Sequence, residues 1–369
     1  MHMTRMLLIA LTINTSLYAQ DVKIVGTIDK YITVAKNTKT LQNPAAAKTY
    51  RSIKLLKVEL SKPAERALAN RARRQITSSK NRFSSSSSLP KKIELGMNDV
   101  PVLDQGSFGT CVTFSITAAI DAVLGKGDYI SQLCQLQLGN YLESNGYNPS
   151  GWNGSNGRNV LNQMNAFGVV SKTAQEAFGC GGLNNYPKQF GDAPTSFITP
   201  EEYHKLSEPI NQVVDWLPIL DITTAFNRVD TNIILNEVKK ALKEQDRVIF
   251  GVLLVDFEPN IIGAVGSHNS HYDSWILTPE IARELYIHHE FGAHEMIITG
   301  YDDDAVALDD QGHEHKGLLT LRNSWGTSEG DKGDFYMSYD YFKVLVIEAR
   351  RIRHLEDQPD ADDVDSFTS

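Results

Sequence analysis

Two stretches near the N-terminus alternate apolar and polar residues with a period of two. Across 22–34, Ile28, Lys30, Ile32 and Val34 fall on one side and Asp29, Tyr31 and Thr33 on the other, while Leu56, Val58 and Leu60 share a face in 51–60. This period predicts two strands, which are free to pair as a hairpin. Ser61 as N-cap and Pro63 in the first turn then open a basic helix over 64–75, rich in Ala and Arg. From 77 to 88 the chain turns polar and ends in five consecutive serines, a stretch with too little apolar surface to order itself. It reads as an exposed linker, where proteases cut.

Beyond the linker the pattern changes. Residues 111–124 contain neither Gly nor Pro and read as a helix, as do 156–167 and 231–243. Strands are predicted over 247–255, 296–301, 318–322 and 334–338, with 342–349 as a further one. Helices come early and strands late, which predicts an α+β fold with partial segregation. A mostly acidic tail, 356–365, is expected to be disordered.

The 369 residues, 41% hydrophobic and 22% charged, have the composition of a soluble globular protein with a sizeable core. A basic start, an apolar run from Met6 to Leu11 and a small residue at Ala19 form the three parts of a secretory signal peptide. An exported product is therefore expected, secreted or periplasmic. No other stretch approaches the roughly eighteen apolar residues a bilayer span needs, so no membrane association is expected after signal removal.

The net charge of −9 is unevenly split: 21–90 carry fifteen Lys/Arg against four Asp/Glu, whereas 91–369 carry twenty against forty-one. A basic arm often means nucleic acid, but a larger acidic partner lies on the same chain. An intramolecular clasp is the expectation, with strong salt dependence as its signature. The cysteines number three, Cys111, Cys134 and Cys180, so in an oxidising compartment at least one thiol stays free or pairs with another molecule. Which two pair is left open by the sequence.

Candidate chemistry lies in three segments. In Gln105-Gly-Ser-Phe-Gly-Thr-Cys111, a glycine-containing loop runs into a helix beginning at a cysteine, where unsatisfied N–H groups and the helix dipole favour a thiolate. In Gly292-Ala-His294 a histidine leads a strand, and Asn323-Ser-Trp325-Gly326 ends another. Supports of this kind can fix an imidazole tautomer through one amide hydrogen bond.

These segments, in the order Cys, His, Asn, resemble the papain family of cysteine peptidases, whose motifs read Gln-Gly-x-Cys-Gly-Ser-Cys-Trp, a histidine entering a strand, and Lys-Asn-Ser-Trp-Gly. The resemblance covers most of 95–350. It implies that Cys111 is the nucleophile, His294 the base, Asn323 its orienter and Gln105 the oxyanion-hole glutamine, with Trp325 covering the Asn–His bond. Gly154 and Ser155 match the stretch that pairs with the substrate backbone. Cys111 as nucleophile leaves Cys134 and Cys180 as the expected disulfide. The implied fold is papain-like: a helical half and an antiparallel barrel-like half, with the cleft between them.

Several positions depart from the family pattern. Phe108 stands where a cysteine is usual, and Val112 where a tryptophan is usual. Glu295 follows the base, where small apolar residues are commoner, and strand alternation points it to solvent. A long acidic loop is expected over 302–316, with Asp302, Asp303, Asp304, Asp309, Asp310, His313 and His315 solvated rather than ligating calcium. His268, His271, His288 and His289 read as surface histidines. The helical inhibitory prodomain of the family is replaced in 20–90 by a basic, strand-rich segment.

The expected organisation is signal 1–19, prosegment 20–90, peptidase domain 91–354 and tail 355–369. The implied activity is peptide hydrolysis by a monomer without cofactor or metal. The implied partners are protein or peptide substrates and the chain's own prosegment as inhibitor, with no nucleic acid. Acyl transfer or deamidation by the same thiol, or binding without catalysis on the same scaffold, are the alternatives.

Overall fold

A computed structural model describes residues 20–34, 49–77, 89–188, 191–287 and 291–355. The expected signal segment, the serine run, the acidic tail and the pair His288 and His289 lie outside the described residues.

Strands β1 (Val22–Val34) and β2 (Thr49–Leu60) form the predicted hairpin, Val22 opposite Leu60 and Val34 opposite Thr49, with a bulge between Ile24 and Gly26. Helix α1 (Lys62–Thr77) follows, and Ser61 Oγ accepts from the Ala64 N–H as its cap. After β3 (Lys92–Glu94) comes the helical half: α2 (Cys111–Leu124), α3 (Gln132–Ser144) and α4 (Gly157–Phe167). Short elements complete it, namely β4 (Val169–Val170), α5 (Lys172–Phe178), α6 (Pro200–His204) and β5 (Ser207–Glu208). Helix α2 is buried all round from Cys111 to Ala122, Thr113, Ser115, Thr117 and Asp121 included, and forms the spine between the halves.

The second half contains β6 (Val214–Leu220), α7 (Thr231–Lys243), β7 (Arg247–Leu254), β8 (Ile261–Ile262), β9 (Ser274–Trp275) and α8 (Pro279–Ile287). It ends with β10 (Phe291–Leu308), β11 (Glu314–Arg322), β12 (Asp334–Ser338), α9 (Tyr339–Leu345) and β13 (Val346–His354). The main path of one large sheet runs β6-β13-β7-β10-β11-β12-β9, antiparallel along it except at the β12–β9 edge, and β1 pairs in parallel with β8 off this path. The expected α+β division into a helical half and an antiparallel half is thus observed.

The hairpin is part of this sheet. Strand β2 pairs with the first residues of β10, Phe291 opposite Val58 and Ala293 opposite Leu56, while β7 flanks β10 on its other side. Val22, Ile32, Ile53, Leu55, Leu56 and Val58 are buried in the same cluster as α2, β7 and β10, together with Ala64, Leu68 and Ala72 of α1. At about 1.5–3 kcal/mol for each large apolar side chain buried, this contact outweighs the ion pairs Lys30–Asp256 and Arg51–Asp104. The opposite charges of the two segments are therefore secondary to apolar packing and a backbone ladder.

Two expectations change. Residues 342–349 divide into the end of α9 and the start of β13, because Ser338 Oγ caps a helix by accepting from the Tyr341 N–H. A continuous apolar run does not by itself separate strand from buried helix. Residues 302–316 are a β-hairpin rather than a loop, paired through Val306–Lys316 and Leu308–Glu314. Asp309 closes its turn by accepting from the backbone of Gln311 and His313, and Lys91, Lys92, Lys239 and Lys316 pair with the Asp302–Asp304 run.

Candidate active site

The glycine-containing loop delivers Cys111 as the first residue of α2, fully buried and unbonded. Cys134 and Cys180 form a disulfide with Cα atoms 5.2 Å apart, as the resemblance implied. The Cys111 thiol lies against the Glu295 backbone, which brings the helix start to the residue after His294. Ser115 Oγ, one turn further along α2, donates to the Glu295 carbonyl at 2.9 Å and ties helix to strand.

His294 sits in β10 opposite Val252 of β7, and its Nε2 donates to Asn323 Oδ1 at 2.8 Å. The same Oδ1 accepts from the Ser324 N–H at 2.7 Å, which fixes the amide with its oxygen toward the ring. With the proton on Nε2, Nδ1 is the acceptor; it has no hydrogen-bond partner among the described residues. The Trp325 indole stacks on the imidazole, centroids 4.6 Å apart at 28°, and keeps water from the Asn–His bond. Burial pushes the imidazole down to about 4, the Asn323 bond opposing it, and pushes the Cys111 thiol up to about 12. In this state thiol and imidazole are both neutral.

Gln105 is held on both ends of its amide. Oε1 accepts from Ser324 Oγ at 2.7 Å, and Nε2 donates one hydrogen to the Phe108 carbonyl at 2.8 Å, leaving its second. Its backbone N–H donates to the Ser324 carbonyl at 2.9 Å, so the Gln and Asn motifs are directly joined. Tyr186, which no sequence pattern singled out, donates to the Gln105 carbonyl, hydrogen-bonds Thr110 Oγ1 and stacks on Trp152. It is a lone aromatic in an irregular segment, with no periodic signal to mark it.

Strands β1 and β2 pack against Gly109 and Gly154. A methyl group on Gly109 would lie 2.3 Å from Thr27 Cγ2, and one on Gly154 (φ +98°) would meet Leu56, the Gly26 carbonyl and Ile24. Ser155 is buried beside Gly154. At the far end Ile32 lies with Trp325 in the wall of one cavity, and Arg51 donates to the Trp325 carbonyl at 2.8 Å. Gly154 thus lies under the hairpin, and Trp325 beside its Arg51 and Ile32.

Glu295 corrects the expectation of a solvent-facing side chain: it is 1% exposed. Strand β10 is covered on both faces over 291–301, so alternation does not lead to water. Its carboxyl lies near Gly251, with Glu348 and Arg350 as the neighbouring charges. Glu348 is anchored by the Gly157 N–H and by Arg350 Nε. Burial, then the Glu348 charge, push Glu295 well above the carboxylate range, with Arg350 opposing. The folded state therefore holds this proton more tightly than the unfolded chain. Stability from it is full below pH about 4 and is lost as pH rises toward the folded value. Urea midpoints at several pH values should show Glu295→Gln losing less stability toward alkaline pH than the parent; equal losses would clear Glu295 as the cause.

Among the histidines flagged as surface groups, His268 is half-buried, its Nδ1 beside the Val306 carbonyl at 2.7 Å and its ring edge-on to Tyr336.

In its Cys, His and Asn motifs and in its division into a helical and a sheet half, the chain is similar to the papain-like cysteine peptidases. Residues 219–355, which carry His294 and Asn323, match the model of the Peptidase C1-like family. Among solved structures, xylellain, a cysteine protease from Xylella fastidiosa, is similar at 20% identity, covering 73% of this chain and 88% of its own, with a TM-score of 0.46. Digestive procathepsin L 3 from the Tenebrio molitor larval midgut aligns at 16% identity over 74% of this chain and 72% of its own, TM-score 0.42. The bromelain protease from Ananas comosus aligns at 17% over 73% and 100%, TM-score 0.42. No curated protein matches the chain significantly.

Proposed function

We propose that the chain is the exported precursor of a peptidase that hydrolyses peptide bonds through Cys111, His294 and Asn323, with Gln105 in the oxyanion hole, and that its N-terminal hairpin inhibits it. The observation that carries this reading is the His294 Nε2–Asn323 Oδ1 bond beneath Trp325, beside a cysteine at a helix start. Inhibition is supported by β1 lying on Gly109 and Gly154.

In the reaction His294 Nδ1 takes the Cys111 proton, and the thiolate attacks the peptide carbonyl carbon. The oxyanion accepts from the Cys111 N–H and the second hydrogen of Gln105 Nε2. The imidazolium then protonates the leaving amine as the C–N bond breaks, giving a thioester. His294 next takes a proton from water, hydroxide displaces the thiolate, and the acid leaves. Asn323 holds the ring throughout.

The test is product analysis after activation. New N- and C-termini support hydrolysis; an unbroken peptide of altered mass would instead mean acyl transfer or deamidation. Asn323→Ala removes a hydrogen bond that becomes charge-assisted once the ring is protonated, so kcat/KM should fall on the order of 10- to 100-fold. A variant with unchanged kcat/KM would remove Asn323 from the mechanism.

A further inference from the structure

Arg51 reaches from β2 to the Trp325 end of the cleft and enters a ring of acceptors. Nη1 donates to the Trp325 carbonyl at 2.8 Å, Nη2 donates to Asp104 Oδ1 at 3.3 Å, and Glu329 Oε1 lies 3.6 Å away. The ring is built into the catalytic framework: Asp104 precedes Gln105 and bridges to Trp325. Asp104 Oδ1 is held by the Gly106 N–H, and Glu329 is 4% exposed. The niche continues into a cavity of about 130 Å³ whose walls include Trp325, Glu329, Phe335, Tyr272 and Asp310, with Ile32 of the hairpin at its edge.

Two carboxylates and a carbonyl around one guanidinium form a fork-binding geometry. When the hairpin leaves, Glu329 loses the guanidinium charge that offsets its desolvation, so the niche favours a replacement cation. In the proposed reaction His294 protonates the leaving amine, and the Trp325 indole stacks on that ring with centroids 4.6 Å apart, which sets the niche at the Trp325 carbonyl beside the departing group. The niche therefore faces the substrate beyond the leaving amine.

We propose that in the activated enzyme Asp104, Glu329 and the Trp325 carbonyl bind an arginine or lysine side chain of the substrate, C-terminal to the scissile bond, and that Arg51 is its stand-in. This rests on the reading of the chain as a peptidase with β1 in its cleft. Arginine is preferred to lysine because its planar fork can reach acceptors on two sides at once.

The full-length protein, processed to its active form, is given peptides that carry Arg, Lys, Ala or Glu at each of the first three positions after the cleaved bond, with products read by mass spectrometry. At one position kcat/KM for Arg should exceed that for Ala by about tenfold, with Glu slowest. Glu329→Gln should lower the Arg-to-Ala ratio to about twofold. Because Glu329 is buried and its replacement risks the fold, Asp104→Asn, at a more exposed site, is measured in parallel and should lower the ratio about threefold. Hydrolysis at equal rates for Arg, Ala and Glu overturns this inference and leaves the peptidase reading intact. Hydrolysis of no peptide overturns both.

Discussion

Cys111→Ala is expected to leave no peptide hydrolysis above background, in the processed enzyme as in the full chain. Every bond-making step of the proposed reaction passes through this sulfur, and no second thiol can replace it, since Cys134 and Cys180 are bonded to each other. Groups that act as a unit with the nucleophile lose their effect with it, so the fall in kcat should be on the order of 10⁴-fold or more. The variant should fold, because Ala keeps the helix start and removes one buried sulfur. Hydrolysis that persists at even a few per cent of the parent rate, with intact near-ultraviolet circular dichroism, would overturn the assignment of the nucleophile.

The second large effect concerns the hairpin. With β1 seated, burial pushes the Cys111 thiol up to about 12. Only about one molecule in 10⁵ then carries a thiolate at pH 7. Full-length protein should accordingly resist alkylation by iodoacetamide. Thr27→Trp should displace β1, because Thr27 Cγ2 already sits 2.3 Å from where a Gly109 methyl would be and the cleft floor has no room for an indole. Alkylation of Cys111 should accelerate at least about 100-fold in that variant as water and the neighbouring imidazole restore the ion pair. Raising the salt concentration should release the parent hairpin hardly at all, because it is held by Ile32, Leu55, Leu56 and Val58 and by the β2–β10 ladder. Rapid alkylation of the unmodified full chain, or an equally slow rate in Thr27→Trp, would dismiss the hairpin as the inhibitor.

These effects come from parts of the molecule that were unequally legible in the sequence. The helix at 111–124 and the strand at 334–338 could be read with their observed ends, because the one lacks any breaker and the other has a clear apolar pattern. The motifs named Cys111, Gln105, His294 and Asn323, and the structure brings them together through the joined Gln105 and Ser324 backbones and the Asn323–His294 bond. Glu295 was misread because local alternation carries no information on whether a strand has one covered face or two. The segment 342–349 was misread because an apolar run has no period of its own, and the Ser338 cap settles it.

The sequence by itself determined the local elements, the chemistry-bearing residues and the likeness they carry, because propensity, capping and motif spacing are properties of neighbours along the chain. It also showed a basic segment facing an acidic one, yet from charge alone that contact looked electrostatic. Only the tertiary structure decided that β1 and β2 enter the main sheet, that the thiol and imidazole are buried, and that Arg51 occupies the niche of Asp104, Glu329 and Trp325. Each of those facts joins residues far apart in the chain, some separated by more than two hundred positions, and burial of apolar surface between distant segments leaves no local pattern from which to read it.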